Sequence, residues 1–422
     1  MSIGPHNITR AVLKNGIVVL VYENPASPSV VVRGHLRAGS LFDPPELPGL
    51  AAFTADMLEE GTHKRSSQRI AEETESLGAA VGFGAGVHLV GFSGKALAED
   101  LRLLLDMLSD IVQHAAFPAD KIEQVRGEIL TSLREREDST AAMAGLMFRK
   151  LAYPNHPYGR DGLGSAESVS AIKRKDLKRF YAEQYSPAGM EFAIVGDVRE
   201  LGGATQTIAL VEKYFGAWQG AGGTARPFAI PPAKALAKLQ RQHIRMKGKI
   251  QSDLVMGAAA LPRTHPDFLA AEVADVILGE FGLMGRLGDN VRVRLGLAYY
   301  SRSQLEAAPG PGAWSAYAGV APGNVEQAVE AILFEMKRLK TERVDPAELD
   351  DIKSFMTGIQ PLRLESNDGI SAALLDMEFY GLGLDYVLRL PERIRAVSAE
   401  EVQAAAQKYL HTDRYVLVVA GP

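Results

Sequence analysis

The sequence predicts an α+β protein built from two related domains in tandem, and three observations carry that prediction. Strand-like and helix-like stretches are mixed along the chain without the strict alternation that a parallel βαβ sheet requires. A helix-to-strand step, Lys178-Arg-Phe-Tyr-Ala-Glu-Gln-Tyr185 leading into Phe192-Ala-Ile-Val-Gly196, returns about 224 residues later. Its second copy is Ala404-Ala-Ala-Gln-Lys-Tyr409 leading into Val416-Leu-Val-Val-Ala-Gly421. A helical stretch, Leu50-Ala-Ala-Phe-Thr-Ala-Asp56, is likewise echoed by Leu269-Ala-Ala-Glu-Val-Ala-Asp275, each after a strand-like run. Two matches in the same order at near-equal offsets mark a duplicated unit.

Taken in order, residues 16–24 and 27–37 read as strands separated by a Pro/Ser turn. Gly49–Thr62 reads as a helix that starts after Pro44-Pro45-Glu46-Leu47-Pro48 and ends at Gly61. Leu50, Phe53, Met57 and Leu58 give it one apolar face. A short polar helix follows at 67–77, then a glycine-broken hairpin at 79–93. Two amphipathic helices are expected at 96–113 and 118–137, a Pro/His/Gly-rich loop at 153–159, a helix at 173–185 and a strand at 190–195. The Gly/Pro/Ala-rich run Gln219–Ala233 is a linker by composition, which places the domains at 1–218 and 237–422 with residues 219–236 between them. Gly279–Gly288 reads as a flexible turn between helices; it follows a helix and has no lysine, so it is not a phosphate loop.

Bulk properties narrow the function. A chain of 422 residues exceeds one simple core, and 46% hydrophobic with 23% charged residues is ordinary globular composition. A net charge of −5 without a Lys/Arg-rich block argues against nucleic-acid binding. There is no cysteine, which removes thiol catalysis and thiolate metal sites. No apolar run reaches the roughly 18 residues of a membrane helix. The start, Met1–Arg10, does not read as a signal peptide. The nine histidines all stand more than five residues apart, so the usual helical and hairpin ligand spacings are absent and structural or surface roles are the default.

The helix at Gly49–Thr62 has a further pattern. Gly49-Leu-Ala-Ala-Phe-Thr-Ala-Asp-Met-Leu-Glu-Glu-Gly-Thr62 resembles the zinc helix of the pitrilysin/insulinase family, which includes the mitochondrial processing peptidases. In that family two imidazoles and a general-base glutamate form an inverted H-x-x-E-H motif. The matching positions here are Ala52, Ala55 and Asp56, so two of the three roles have no chemistry left. The family's remaining ligand lies on a second helix, where the register puts Ser132, with Glu128 and Glu135 one turn to either side.

Val291-Arg-Val-Arg-Leu-Gly-Leu-Ala-Tyr-Tyr300 resembles the Arg-(x6)-Tyr pair in the C-terminal half of these peptidases, at Arg292 and Tyr299. A helix ending near Gly296 and a strand starting near Leu297 let both side chains converge, as donors suited to a peptide carbonyl or its oxyanion. Arg294 and Tyr300 are the alternatives if the register slips. Phe53, Phe83, Phe92, Trp314 and Tyr317 are read as core before cleft, and the strands at 79–93 and 299–318 offer edges for strand addition.

The resemblance spans nearly the whole chain and implies two α+β domains that form half of a clamshell peptidase. It implies a subunit without peptidase activity of its own and without a bound cofactor. Zinc is then expected in an H-x-x-E-H-bearing partner, as a heterodimer or higher assembly, whose active site Arg292 and Tyr299 complete for peptide hydrolysis. A structural core-protein-like subunit and a stand-alone peptide-binding homodimer are the alternatives. Relatives of the bacterial two-subunit type imply the periplasm, with the cytoplasm as the alternative.

Overall fold

The computed structural model describes residues 3–220 and 227–422. In chain order its elements begin β1 (Ile8–Val12), β2 (Val18–Glu23), β3 (Ser29–Leu36), α1 (Leu50–Asp56), α2 (Ser67–Ser76), β4 (Ala80–Ala85) and β5 (Val90–Leu97). Next come α3 (Leu101–His114), α4 (Ala119–Glu137), α5 (Thr140–Ala152), α6 (Ala166–Ala171), α7 (Arg174–Gln184), β6 (Glu191–Gly196) and α8 (Gly203–Phe215). The second half holds β7 (Gln240–Arg245), β8 (Ser252–Ala259), α9 (Phe268–Gly279), α10 (Phe281–Leu287), β9 (Ala298–Leu305) and β10 (Ala313–Val320). It ends with α11 (Val325–Thr341), α12 (Pro346–Arg363), α13 (Asn367–Phe379), α14 (Tyr386–Ala396), α15 (Ala399–Tyr409) and β11 (Val416–Gly421).

The strands form two sheets of one plan. The first runs β1-β2-β6-β3-β5-β4 and the second β7-β11-β8-β10-β9. In each, one parallel pair joins the early strand to the last strand of its half, β2 with β6 and β7 with β11. The antiparallel order beyond that pair also matches, β6-β3-β5-β4 against β11-β8-β10-β9, so the duplication is a property of the fold. The architecture is α+β in both halves.

The alternation of β3 shows how sequence sets the layers. Val30, Val32 and Leu36 point to one face and join Leu50, Phe53, Leu104 and Leu108 in a helix-covered core. A second, separate core gathers Leu254, Met256, Val273, Ile277, Trp314 and Leu417.

These cores belong to two compact units that are interleaved in sequence, where contiguous domains at 1–218 and 237–422 were expected. The first unit comprises Met1–Leu133, Asp161–Ala229 and Pro361–Leu388; the second comprises Arg134–Arg160, Ile230–Gln360 and Arg389–Pro422. The reason is helix packing. The second unit contains α5, from the first half of the chain, packed on β8 and β11, and the first contains α13, from the second half, packed on β6 and β3. Part of the expected linker, residues 221–226, lies outside the described residues. The run at Gly279–Gly288 is not a turn: it contains the end of α9, all of α10 and the start of a π-helical turn, Gly288–Arg294. Among the described residues no helix is long and apolar enough to cross a membrane.

Candidate functional site

The start of α1 is fixed by an acid from the preceding turn. Asp43, buried, accepts from the backbone N–H of Gly49 at 2.9 Å and of Ala51 at 2.8 Å, satisfying two free donors of the first turn. Gly49 has φ 93°, and a Cβ there would meet the Leu163 carbonyl oxygen at 2.7 Å, so only glycine fits. Leu50 through Ala55 are all buried, and Asp56 is the first residue of the helix to reach solvent.

Opposite α1 stands α4, anchored by Ile122, Val125 and Leu133. Between them is a cavity of about 260 Å³ lined by Ala52, Phe53 and Asp56 on one side and Glu128, Ile129 and Ser132 on the other. The structure therefore brings Ala52, Asp56 and Ser132 together as the sequence predicts. It adds Glu128, the residue one turn from Ser132, while Glu135 is not among the lining residues. Ala55 is turned into the core, 1% exposed.

Three carboxylates line this cavity, Asp56, Glu60 and Glu128, with no cation among the lining residues; Glu60 is paired with Lys121 at 3.2 Å. Burial, and then the negative charge of Glu128, push the Asp56 carboxyl up to about 6. A zinc ion needs three protein ligands and an open position, usually with imidazole among them. Alanine at 52 and 55 supplies no donor, so the residues present do not fit the metal. Among the described residues no group of three or more His, Cys, Asp or Glu is arranged to hold an ion.

The raised value has a consequence for stability. The unfolded carboxyl titrates near 3.9. Between the two values the folded state binds more protons, so Asp56 costs stability as pH rises from about 4 to about 6, and the cost persists above that. Asp56→Asn is therefore expected to leave the melting temperature unchanged at pH 4 and to raise it at pH 8. The gain corresponds to about 1 kcal/mol, because the residue stands at the open mouth where solvent screens it. Thermal melts at both pH values check this; an equal effect at both would show a fully hydrated carboxyl uncoupled from Glu128.

The second constellation lies in the other unit. Arg292 sits in the π-helical turn, Gly296 takes φ 61° to break it, and β9 begins at Ala298. The turn brings the Arg292 guanidinium carbon to 6.0 Å from the centroid of the Tyr299 ring, at the outer reach of a cation–π contact. Tyr299 is 79% exposed, and Arg292 forms no ion pair among the described residues.

The alternatives in register go elsewhere. Tyr300, on the opposite face of β9, donates its hydroxyl to Asp253 Oδ1 at 2.6 Å, and the other oxygen of Asp253 accepts from Thr140. Arg294 is exposed, with a long contact of 3.9 Å to Asp289. Period-two alternation of the strand thus separates a structural tyrosine from an available one.

Of the five aromatics weighed for a cleft, Phe53, Phe92 and Trp314 are core. Phe53 nonetheless edges the α1–α4 cavity. His35, expected at the surface or in a structural role, is buried, with Nε2 3.0 Å from Glu191.

Comparison with known proteins supports this fold. Residues 18–165 match the family model described as Insulinase (Peptidase family M16), and residues 171–356 match that described as Peptidase M16 inactive domain. The chain is 28% identical over 421 residues to an uncharacterized zinc protease of Mycobacterium leprae, covering 98% of this chain and 92% of that one. It is 27% identical over 420 residues to mitochondrial-processing peptidase subunit beta of Mus musculus, covering 97% and 83%. Among solved structures, the crystal structure of a peptidase M16 inactive domain from Pseudomonas fluorescens superposes with a TM-score of 0.91. That match has 27% identity and covers 99% of this chain and 98% of the other.

Proposed function

We propose, from the premise that the chain belongs to the insulinase-type peptidase family M16, that it is the non-catalytic subunit of a zinc peptidase. One observation carries the reading. The two positions that would supply an imidazole and the general base are Ala52 and Ala55, and Asp56 replaces the second imidazole, while Arg292 and Tyr299 converge and stay accessible. Loss of one half of a site with retention of the other is the pattern of a subunit that acts in trans.

In this reading the chemistry of the metal belongs to a partner that carries H-x-x-E-H. This chain's own residues bind and orient. The Arg292 guanidinium and the Tyr299 hydroxyl donate hydrogen bonds to a carbonyl oxygen of the bound peptide, and the guanidinium favours the charge that grows there as the carbonyl is attacked. A fixed fork of donors suits that task better than a flexible ammonium.

The test is hydrolysis of an internally quenched fluorescent peptide, in the presence of zinc, by this chain alone and after mixing with an H-x-x-E-H-bearing relative. No cleavage alone, and a mixed rate at least about tenfold above the relative's own, is expected when this chain supplies the oriented donors. Chelator-sensitive cleavage by this chain alone, or a relative whose rate is indifferent to mixing, overturns the proposal.

A further inference from the structure

The open face of the first unit's sheet has a feature that packing does not explain. β3 pairs with β5 and β5 with the edge strand β4, so Arg33, Ser93 and Gly82 stand in one row and His35, Gly91 and Gly84 in the next. These rows face away from the helix-covered core, because Phe92 and Val32, their neighbours along the strands, point into it. α13 packs on this second face over β6 and β3. Beside it a groove of about 720 Å³, open to solvent, runs over β5 and β4.

The floor of that groove is glycine: Gly82, Gly84 and Gly91. Glycine inside a strand costs stability and usually has a local reason, either a positive φ or a neighbour too close for a Cβ. The glycines of the core face have such a reason. A Cβ at Gly34 would meet the Phe92 ring at 2.3 Å, and one at Gly94 would meet Leu104 at 2.7 Å. The floor glycines have none. A Cβ at Gly84 meets nothing within 4 Å, the nearest atom is 3.9 Å away at Gly82 and 4.0 Å away at Gly91, and none of the three has a positive φ. What is left is the third use of a strand glycine, a surface on which another backbone or ligand lies close.

The walls say what kind. Phe379 of α13 stands edge-on to His35, with ring centroids 5.3 Å apart, and gives an apolar side. Arg33 gives a cation with hydrogen-bonding capacity to spare: its Nε is buried without a partner, and its one ion pair, to Asp368, is long at 3.6 Å. Asp368 is shared with Lys95, also at 3.6 Å, so two cations face one acid. Asp376, the acid on the α13 wall of the groove, is already engaged. Arg33 is thus the under-paired charge at the floor's edge, and its complement is a carboxylate.

We propose that this glycine-floored groove binds a short peptide segment bearing a carboxylate, its backbone laid over Gly82, Gly84 and Gly91 and its acid paired with Arg33. The site involves neither Arg292 nor Tyr299 and requires no partner subunit, so it stands or falls apart from the subunit reading above.

Fluorescence anisotropy on the full chain tests it. The probes are a fluorescein-labelled octapeptide of alternating threonine and valine with a central glutamate, and the same peptide with glutamine. The glutamate peptide is expected to bind at least about tenfold more tightly than its glutamine twin, as for one charge-assisted hydrogen bond gained. Arg33→Gln should abolish that preference. Gly84→Val should weaken the glutamate peptide by at least about tenfold while the melting temperature holds or rises, since the new side chain enters open space on a strand that favours it. Equal affinity for the two peptides, binding indifferent to Gly84→Val, or no binding of either peptide overturns the proposal.

Discussion

Replacing Asp275 with asparagine is expected to destabilise the second unit by about 2–3 kcal/mol, and replacing it with alanine by about 3–5 kcal/mol, the range for orphaning buried partners of a charged group. Asp275 is 2% exposed in α9. Its Oδ1 accepts from the Ser303 hydroxyl at 2.6 Å and the Trp314 indole N–H at 2.7 Å, and its Oδ2 accepts from the Leu305 backbone N–H at 2.7 Å. One side chain thus ties α9 to β9 and β10. Asparagine keeps one acceptor and turns an N–H₂ towards a donor, so at least one buried N–H loses its bond. Burial pushes this carboxyl up to about 7 against the pull of its three donors, so the comparison belongs at pH 8, where it is an acceptor only. Urea unfolding followed by tryptophan emission reads it directly, since Trp314 is one of only two tryptophans and Trp218→Phe isolates it. A midpoint shift equivalent to under about 0.5 kcal/mol, the range of an ordinary surface substitution, would contradict this account.

The same residue shows how far the sequence could be read. Asp56 and Asp275 fall at matching positions of the repeat, and the repeat itself was visible because α1 and α9 share an apolar pattern and follow matching strands. Their environments were not visible. Asp56 looks into a crevice and Asp275 into a core, and the difference lies in β9 and β10, which contribute Ser303, Leu305 and Trp314 from about 30 or 40 residues further on. Local periodicity sees a helix; it does not see what closes over it.

The α1–α4 site was legible to the level of one helical turn. Ala52, Asp56 and Ser132 do line one cavity, and Glu128 joins them, because a spacing of four residues keeps a helical face. The interleaved units were not legible. α5 and α13 carry ordinary helical sequences, and nothing in them says which sheet they cover. Glycines misled once. At Gly279–Gly288 they read as a turn, yet a Cβ at Gly279 would come within 1.9 Å of the Ser303 backbone nitrogen, so that glycine serves close helix–strand packing inside a helix. The hairpin expected at 79–93 is present as β4 and β5, and its strands run on through Gly82, Gly84 and Gly91.

Arg292→Ala is expected to lower kcat/KM of the mixed peptidase by about 10²-fold and Tyr299→Phe by about tenfold, with assembly unchanged, in line with the loss of oriented donors at a developing oxyanion. A ring 79% exposed beside a guanidinium with no ion partner among the described residues contributes little to the folded chain, so both substitutions should leave its melting temperature within about 2 °C. Neighbours one or two residues away supply the controls. Arg294→Ala removes an exposed arginine with only a 3.9 Å contact and should change neither rate nor stability. Tyr300→Phe breaks the 2.6 Å bond to Asp253 and should lower stability by about 1–3 kcal/mol while the rate per folded complex holds. Activity lost at 292 and 299 with stability lost at 300 is the signature of a strand whose two faces have separate tasks. If kcat and KM of the mixed complex ignore Arg292 and Tyr299, the role in trans is wrong, and the accessible pair is then only a surface contact between a helix end and a strand.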